Sequence, residues 1–123
     1  MKRILIVDDA ATVRMYYRSI LEGAGYQVIE AVNGIEALEK TLQETFDLYI
    51  VDINMPKLDG YGFMIKLRSL DLPQVPAVMV STEAAANDRM RAYTAGANLY
   101  LIKPVKPDVL LIHCRLLLGE VHP

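Results

Sequence analysis

Residues 3–9 read RILIVDD, an apolar run from Ile4 to Val7 that ends abruptly in two carboxylates, Asp8 and Asp9. Three further runs follow the same plan: LYIV (Leu48–Val51) precedes Asp52, AVMV (Ala77–Val80) precedes Ser81, and LYLI (Leu99–Ile102) precedes Lys103. Short runs without alternating polar residues predict parallel strands buried on both faces. Each polar side chain then emerges at a C-terminal strand end, where open α/β sheets place their sites. Three carboxylates gathered there repel one another unless a cation neutralises them. The pattern asks for a metal.

Working outward, the runs alternate with longer segments of helical period, βα repeated five times, which predicts a parallel sheet covered on both faces. Strand one is about Arg3–Val7, and helix one runs from near Ala10 to Ala24 with Val13, Tyr17, Ile20 and Leu21 on one face. Gly23 and Gly25 are its stop signals. Strand two is Gln27–Ala31. Asn33 then predicts an N-cap, with Glu36 completing a capping-box-like start to a helix that reaches about Leu42. After Asp52, Met55-Pro56 and Asp59-Gly60 predict a turn, followed by a helix carrying Phe63, Ile65, Leu67 and Leu70. Helix four is about Ala84–Ala95, strand five Asn98–Ile102, and helix five about Lys106–Leu118 with Pro107 in its first turn. No repeat or linker interrupts this, so one domain over residues 1–123 is expected.

Composition narrows the function. The chain has 123 residues, 53% hydrophobic and 23% charged, with net charge −2, the balance of a globular protein. No segment concentrates Lys and Arg, which argues against direct nucleic-acid binding. No apolar run approaches membrane-helix length, and the N-terminus lacks a secretory pattern. The lone Cys114 cannot form an internal disulfide, so the cytoplasm is the expected compartment.

A single Asp after a strand is an ordinary helix cap. Capping needs one acceptor, however, and extra buried charge costs free energy unless paired. Asp8, Asp9 and Asp52 together fit Mg²⁺, a hard cation taking oxygen ligands where a phosphate also binds. Nothing has zinc spacing, and His113 and His122 read as surface or helix-five residues. Lys103 and Ser81 at the same sheet edge offer an ammonium and a hydroxyl to phosphoryl oxygens. Phosphoryl transfer needs such positioning and charge neutralisation, with Asp52 as the carboxylate nucleophile.

The segments VDDAATVRM, AVNGIEALE, VDINMPKLDGYGF, VSTEA and YLIKPV resemble the CheY-like receiver domain of bacterial two-component response regulators, most closely the stand-alone chemotaxis type. The resemblance implies a flavodoxin-like (βα)5 three-layer sandwich, its five-stranded parallel sheet ordered 2-1-3-4-5. It implies that Asp52 accepts a phosphoryl group from a histidine kinase or a histidine phosphotransfer domain. Asp9 would ligate Mg²⁺ directly (Mn²⁺ substituting), Asp8 largely through water, and Asn54 through its backbone carbonyl. Ser81 and Lys103 would bind the arriving phosphoryl group, Tyr100 would be the aromatic of the switch, and Lys103-Pro104 would be cis. Asn54 and Glu83 match positions flanking the attacking water, while Thr82 departs from the family's usual Ala or Gly, predicting that Thr82→Ala accelerates loss of the phosphoryl group.

The expectation is thus a switch that assists its own phosphotransfer and dephosphorylation, not a turnover enzyme. It would signal through helix four, strand five and helix five to an unidentified target. Helix five carries more apolar residues than one buried face requires, which raises either tolerated exposure or a weak, phosphorylation-dependent dimer surface. Two broader settings stay open: a chemotaxis-type regulator on its own, or the receiver of a longer regulator or hybrid kinase. A haloacid-dehalogenase-like phosphatase is more distant, since Ala10 stands where its second acid belongs. An FMN binder would not place an acidic pair against a cofactor phosphate. A degenerate receiver used only for docking would not retain every acceptor-site residue.

Overall fold

The computed structural model describes residues 1–82 and 86–120. Its elements, in chain order, are β1 (Arg3–Val7), α1 (Ala11–Gly23), β2 (Gln27–Ala31), α2 (Gly34–Gln43), β3 (Leu48–Asp52), α3 (Gly60–Ser69), β4 (Ala77–Ser81), α4 (Ala86–Ala95), β5 (Leu99–Ile102) and α5 (Pro107–Leu117). The strands form one parallel sheet in the order β2-β1-β3-β4-β5. This is the flavodoxin-like arrangement. Among the described residues no helix is long and apolar enough to cross a membrane.

Strand composition follows position in the sheet. β3 and β4 are buried at every residue, whereas the edge strands β2 and β5 are only partly buried. Period two divides the side chains between two cores. Leu5, Val7, Tyr49, Val51, Ala77 and Met79 pack toward α2, α3 and α4. Ile4, Ile6, Leu48, Ile50, Val78 and Val80 pack toward α1 and α5, against Tyr17, Leu21, Leu110 and Cys114. Each fully buried side chain of this size contributes roughly 1.5–3 kcal/mol, against about 0–1 kcal/mol for an exposed ion pair. The apolar runs therefore set the sheet, and the polar strand ends are carried to their places by it.

Local boundaries differ from the sequence reading where side chains intervene. Gly23 stays helical, and Gly25 takes the left-handed conformation after α1 (φ +94°). Asn98 precedes β5 instead of belonging to it: its side-chain oxygen accepts from the Ala77 N–H at 2.9 Å while its own N–H donates to the Ala77 carbonyl. Ile65 of α3 is 59% exposed, while Tyr61, Phe63, Met64 and Leu67 fill the contact with the sheet. Asn33 caps α2 by accepting from the Glu36 N–H at 2.8 Å. Ala84, where helix four was expected to start, lies outside the described residues, and α4 runs over Ala86–Ala95.

Candidate phosphoacceptor site

Parallel register assembles the site. Val7 pairs with Val51, so the next residues, Asp8 and Asp52, stand level at the switch between α1 on one side of the sheet and α3 on the other. Ser81 pairs with Ile102, and the N–H of Lys103 donates to the Ser81 carbonyl at 2.8 Å. Alternation then sorts the side chains. Asp8, Asp52 and Lys103 continue the face packed on α1 and α5, whereas Ser81 and Tyr100 continue the face packed on α2–α4.

Lys103 Nζ lies 2.9 Å from Asp52 Oδ1 and 3.2 Å from Asp8 Oδ2. Asp8 and Asp52 are buried and Asp9 is exposed, with one oxygen of each within 4.8 Å of the others. Burial raises the Asp52 carboxyl above its ordinary range; hydrogen bonding to Lys103 opposes this, and the charges of Asp8 and Asp9 add to it. Burial pulls Lys103 down, but bonding and charge from Asp52 and Asp8 outweigh it and raise the ammonium. Tyr17 of α1 senses the same negative charge: burial, then Asp8 and Asp52, push its phenol well up. One ammonium faces three carboxylates. The all-oxygen donor set, open to solvent on the Asp9 side, suits a hard divalent cation.

The bland assignment of Asp8 as a helix cap does not describe it. Its Oδ1 accepts from the N–H of Ala10 at 2.9 Å, but Ala10 occupies the cap position of α1 and no side chain caps that helix. Asp59 is a true cap, accepting from the Gly62 N–H at 2.8 Å. The turn expected across Met55-Pro56 and Asp59-Gly60 forms there, with Lys57 at φ 70°. Gly60 begins α3 pressed against β3, where a Cβ would lie 2.4 Å from the Asp52 carbonyl oxygen. No side chain fits there, so the loop carrying exposed Asn54 stays folded beside Asp52.

The remaining candidates are distributed around this centre. Ser81 is 1% and Tyr100 2% exposed, with the guanidinium of Arg89 5.2 Å from the Tyr100 ring centroid. The Lys103–Pro104 peptide is cis. Exposed Thr82 lines a groove of about 360 Å³ with Tyr16, Lys103 and Pro104. Glu83 and His122 lie outside the described residues, and His113 sits on α5 outside the acidic cluster. Sequence reasoning missed two contacts: the Tyr16 hydroxyl donates to the Val105 carbonyl at 2.7 Å, and Arg14 donates to the Asp8 carbonyl at 2.7 Å. Helical side chains lean toward the N-terminus, so Arg14, early in α1, carried a readable signal.

The profile of the response regulator receiver domain matches residues 4–115. The chain belongs to that family. Sensor protein EvgS of Escherichia coli (strain K12) is 39% identical to this receiver domain over 119 residues, 97% of this chain and 10% of that protein. The chain thus spans only about a tenth of that relative's length. Chemotaxis protein CheY1 of Helicobacter pylori is 36% identical, with 95% of this chain and 97% of that protein covered. Among solved structures, the Vibrio cholerae chemotaxis protein CheY4 superposes with a TM-score of 0.90 at 33% identity, covering 95% of this chain and 98% of that one.

Proposed function

We propose that this receiver domain is a phosphorylation-controlled switch with Asp52 as acceptor. The observation that carries this reading is the imbalance at the strand ends, where Asp8, Asp9 and Asp52 share one cation, Lys103. Asp8, Asp9 and Asp52 would hold Mg²⁺, or Mn²⁺ in its place, with the Asn54 carbonyl as a further ligand. A divalent cation there supplies charge neutralisation for the phosphoryl oxygens. An Asp52 oxygen attacks the phosphorus of a phosphohistidine on a histidine kinase or phosphotransfer domain. The P–N bond breaks as the P–O bond forms, and the imidazole recovers its electron pair and takes a proton.

Lys103 would exchange its Asp52 contact for a phosphoryl oxygen, and Ser81 would donate its hydroxyl to the arriving group. Ser81 and Tyr100 lie on one face of adjacent strands, so a shift of Ser81 toward the phosphoryl group is felt at Tyr100 and at α4, β5 and α5. That is a population shift between two packings. Thr82, Asn54 and Glu83 would govern water access and hence dephosphorylation; the protein is a switch and not a turnover enzyme. Its near-complete alignment with CheY1 supports a chemotaxis-type output in the cytoplasm, and its likeness to a segment of EvgS supports a receiver within a longer kinase. Phosphotransfer profiling against purified kinases separates the two.

The direct test is incubation with acetyl phosphate and Mg²⁺ followed by mass spectrometry. One phosphoryl adduct is expected, absent without Mg²⁺ and absent in Asp52→Asn. No adduct, or one that persists in Asp52→Asn, rejects the proposal.

A further inference from the structure

The backbone of Asp8 lies between two regular elements, where β1 has ended and α1 has not begun. Its N–H reaches the Ala31 carbonyl of β2 at 3.1 Å. Its carbonyl is an acceptor that neither ladder nor helix supplies, and a buried carbonyl needs a donor. Arg14 provides one at 2.7 Å from its terminal nitrogen. The same guanidinium is clamped from behind, its Nε 2.8 Å from Glu30 Oε1. Arg18 holds the other Glu30 oxygen at 2.7 Å, and Lys40 donates to the Glu30 carbonyl at 2.7 Å.

Glu30 is accordingly anchored on three sides. Burial works to raise its carboxyl, but bonding and charge from Arg18 and Arg14 outweigh this and hold it below its ordinary value. Arg14 is also the most enclosed of the two arginines, with 14% of its side chain exposed against 34% for Arg18. Among the described residues only Arg14 connects the Glu30 anchor to the acidic loop. Arg18 ends on Glu30 and on Glu22.

We propose that Arg14 is a positioning residue that, tied down by Glu30, holds the Asp8 carbonyl and thereby presets the Asp8–Asp9 loop for its divalent cation. The inference rests on the cation reading of the site given above. Groups that orient ligands in this way commonly govern metal affinity by one to two orders of magnitude. Arg14 bonds the Asp8 backbone carbonyl and Glu30, not a carboxylate of the acidic cluster, so its removal should act on affinity and leave the chemistry of the loaded site intact.

Calorimetric titration with Mg²⁺ alone, paired with metal-free thermal unfolding, tests this. Arg14→Met should weaken Mg²⁺ binding about tenfold, with labelling by acetyl phosphate restored at saturating Mg²⁺. Arg18→Met removes a Glu30 partner without touching Asp8; it should lower the melting temperature and leave Mg²⁺ affinity at the wild-type value. If Arg14→Met does not fold, Glu30→Gln, which loosens the clamp, should show the same loss of affinity. Wild-type affinity in Arg14→Met, or in Glu30→Gln where that variant stands in, overturns the inference, as does an equal loss in Arg18→Met. A wild-type protein that binds no Mg²⁺ overturns the cation reading and this inference together.

Discussion

The two ends of the sheet solve the same problem differently. At the N-terminal end the charge of Arg3 is matched by an opposite partner and by a backbone group. Arg3 pairs with Glu44, donates to the Thr45 carbonyl at 2.7 Å and lies over the Phe46 ring, while its N–H donates to Asp47 Oδ2 at 2.7 Å. At the C-terminal end Lys103 alone serves Asp8 and Asp52, with Asp9 beside them. Both ends are built on the same buried strands. Where charge is balanced the polar groups support the fold, and where it is left unbalanced they are expected to lower metal-free stability until a cation binds.

The largest effect that sharpens this contrast is cation binding itself. Mg²⁺ at a hundredfold excess over its dissociation constant should stabilise the protein by about 2.7 kcal/mol, read as a shift in urea unfolding. Asp9→Asn should abolish most of that shift, and Arg3→Met should retain all of it. A shift that survives Asp9→Asn breaks the contrast. Next in size, Lys103→Met removes the only ammonium that contacts the acids among the described residues and should cost about 2 kcal/mol without metal. This is less than the 3–5 kcal/mol of a fully buried pair, since a fifth of the Lys103 side chain reaches solvent.

Asp52→Asn should move stability in the other direction. A carboxyl whose folded pKa lies above its unfolded value, near 3.8, favours folding when protonated. That contribution is fully present below the unfolded pKa and is lost as pH rises through the raised folded one. At neutral pH the metal-free variant should therefore melt a few degrees higher than the wild type, the shift about 1 kcal/mol produces in a chain of this size. Its stability should also depend less on pH above 4. A lower melting temperature would show that Lys103 already neutralises the cluster.

Smaller still, Arg3→Met should cost less than about 1 kcal/mol, as partly exposed pairs do, and leave phosphoryl labelling untouched. Thr82→Ala leaves stability near wild type while shortening the lifetime of the phosphorylated state, measured as decay of the adduct after donor removal. An unchanged or slower decay removes Thr82 from the water path.

Much of this was readable from residues 3–9 and their three counterparts. Unbroken apolar runs identified strands, and a residue following a buried strand must surface at its end, so Asp8, Asp52, Ser81 and Lys103 could be assigned to one sheet edge. Alternation could also have separated Asp8, Asp52 and Lys103 from Ser81 and Tyr100, a consequence of period two that depends on the strand boundaries alone. The start of β5 was misjudged where a side chain imitates backbone, at Asn98. The turn after Asp52 was legible from Met55-Pro56 and Asp59-Gly60, whereas the closeness of Gly60 to the Asp52 carbonyl is a contact no local pattern announces.

From sequence alone came which chemical groups this protein gathers, because burial preference and strand periodicity act over a few neighbouring residues. Tertiary structure decided how those groups meet. The bond from Lys103 to Asp8 spans 95 positions, and the grip of Arg14 on the Asp8 carbonyl requires β2 to present Glu30 behind it. Such partnerships depend on strand register and on packing between layers, where a displacement of one ångström makes or breaks a hydrogen bond.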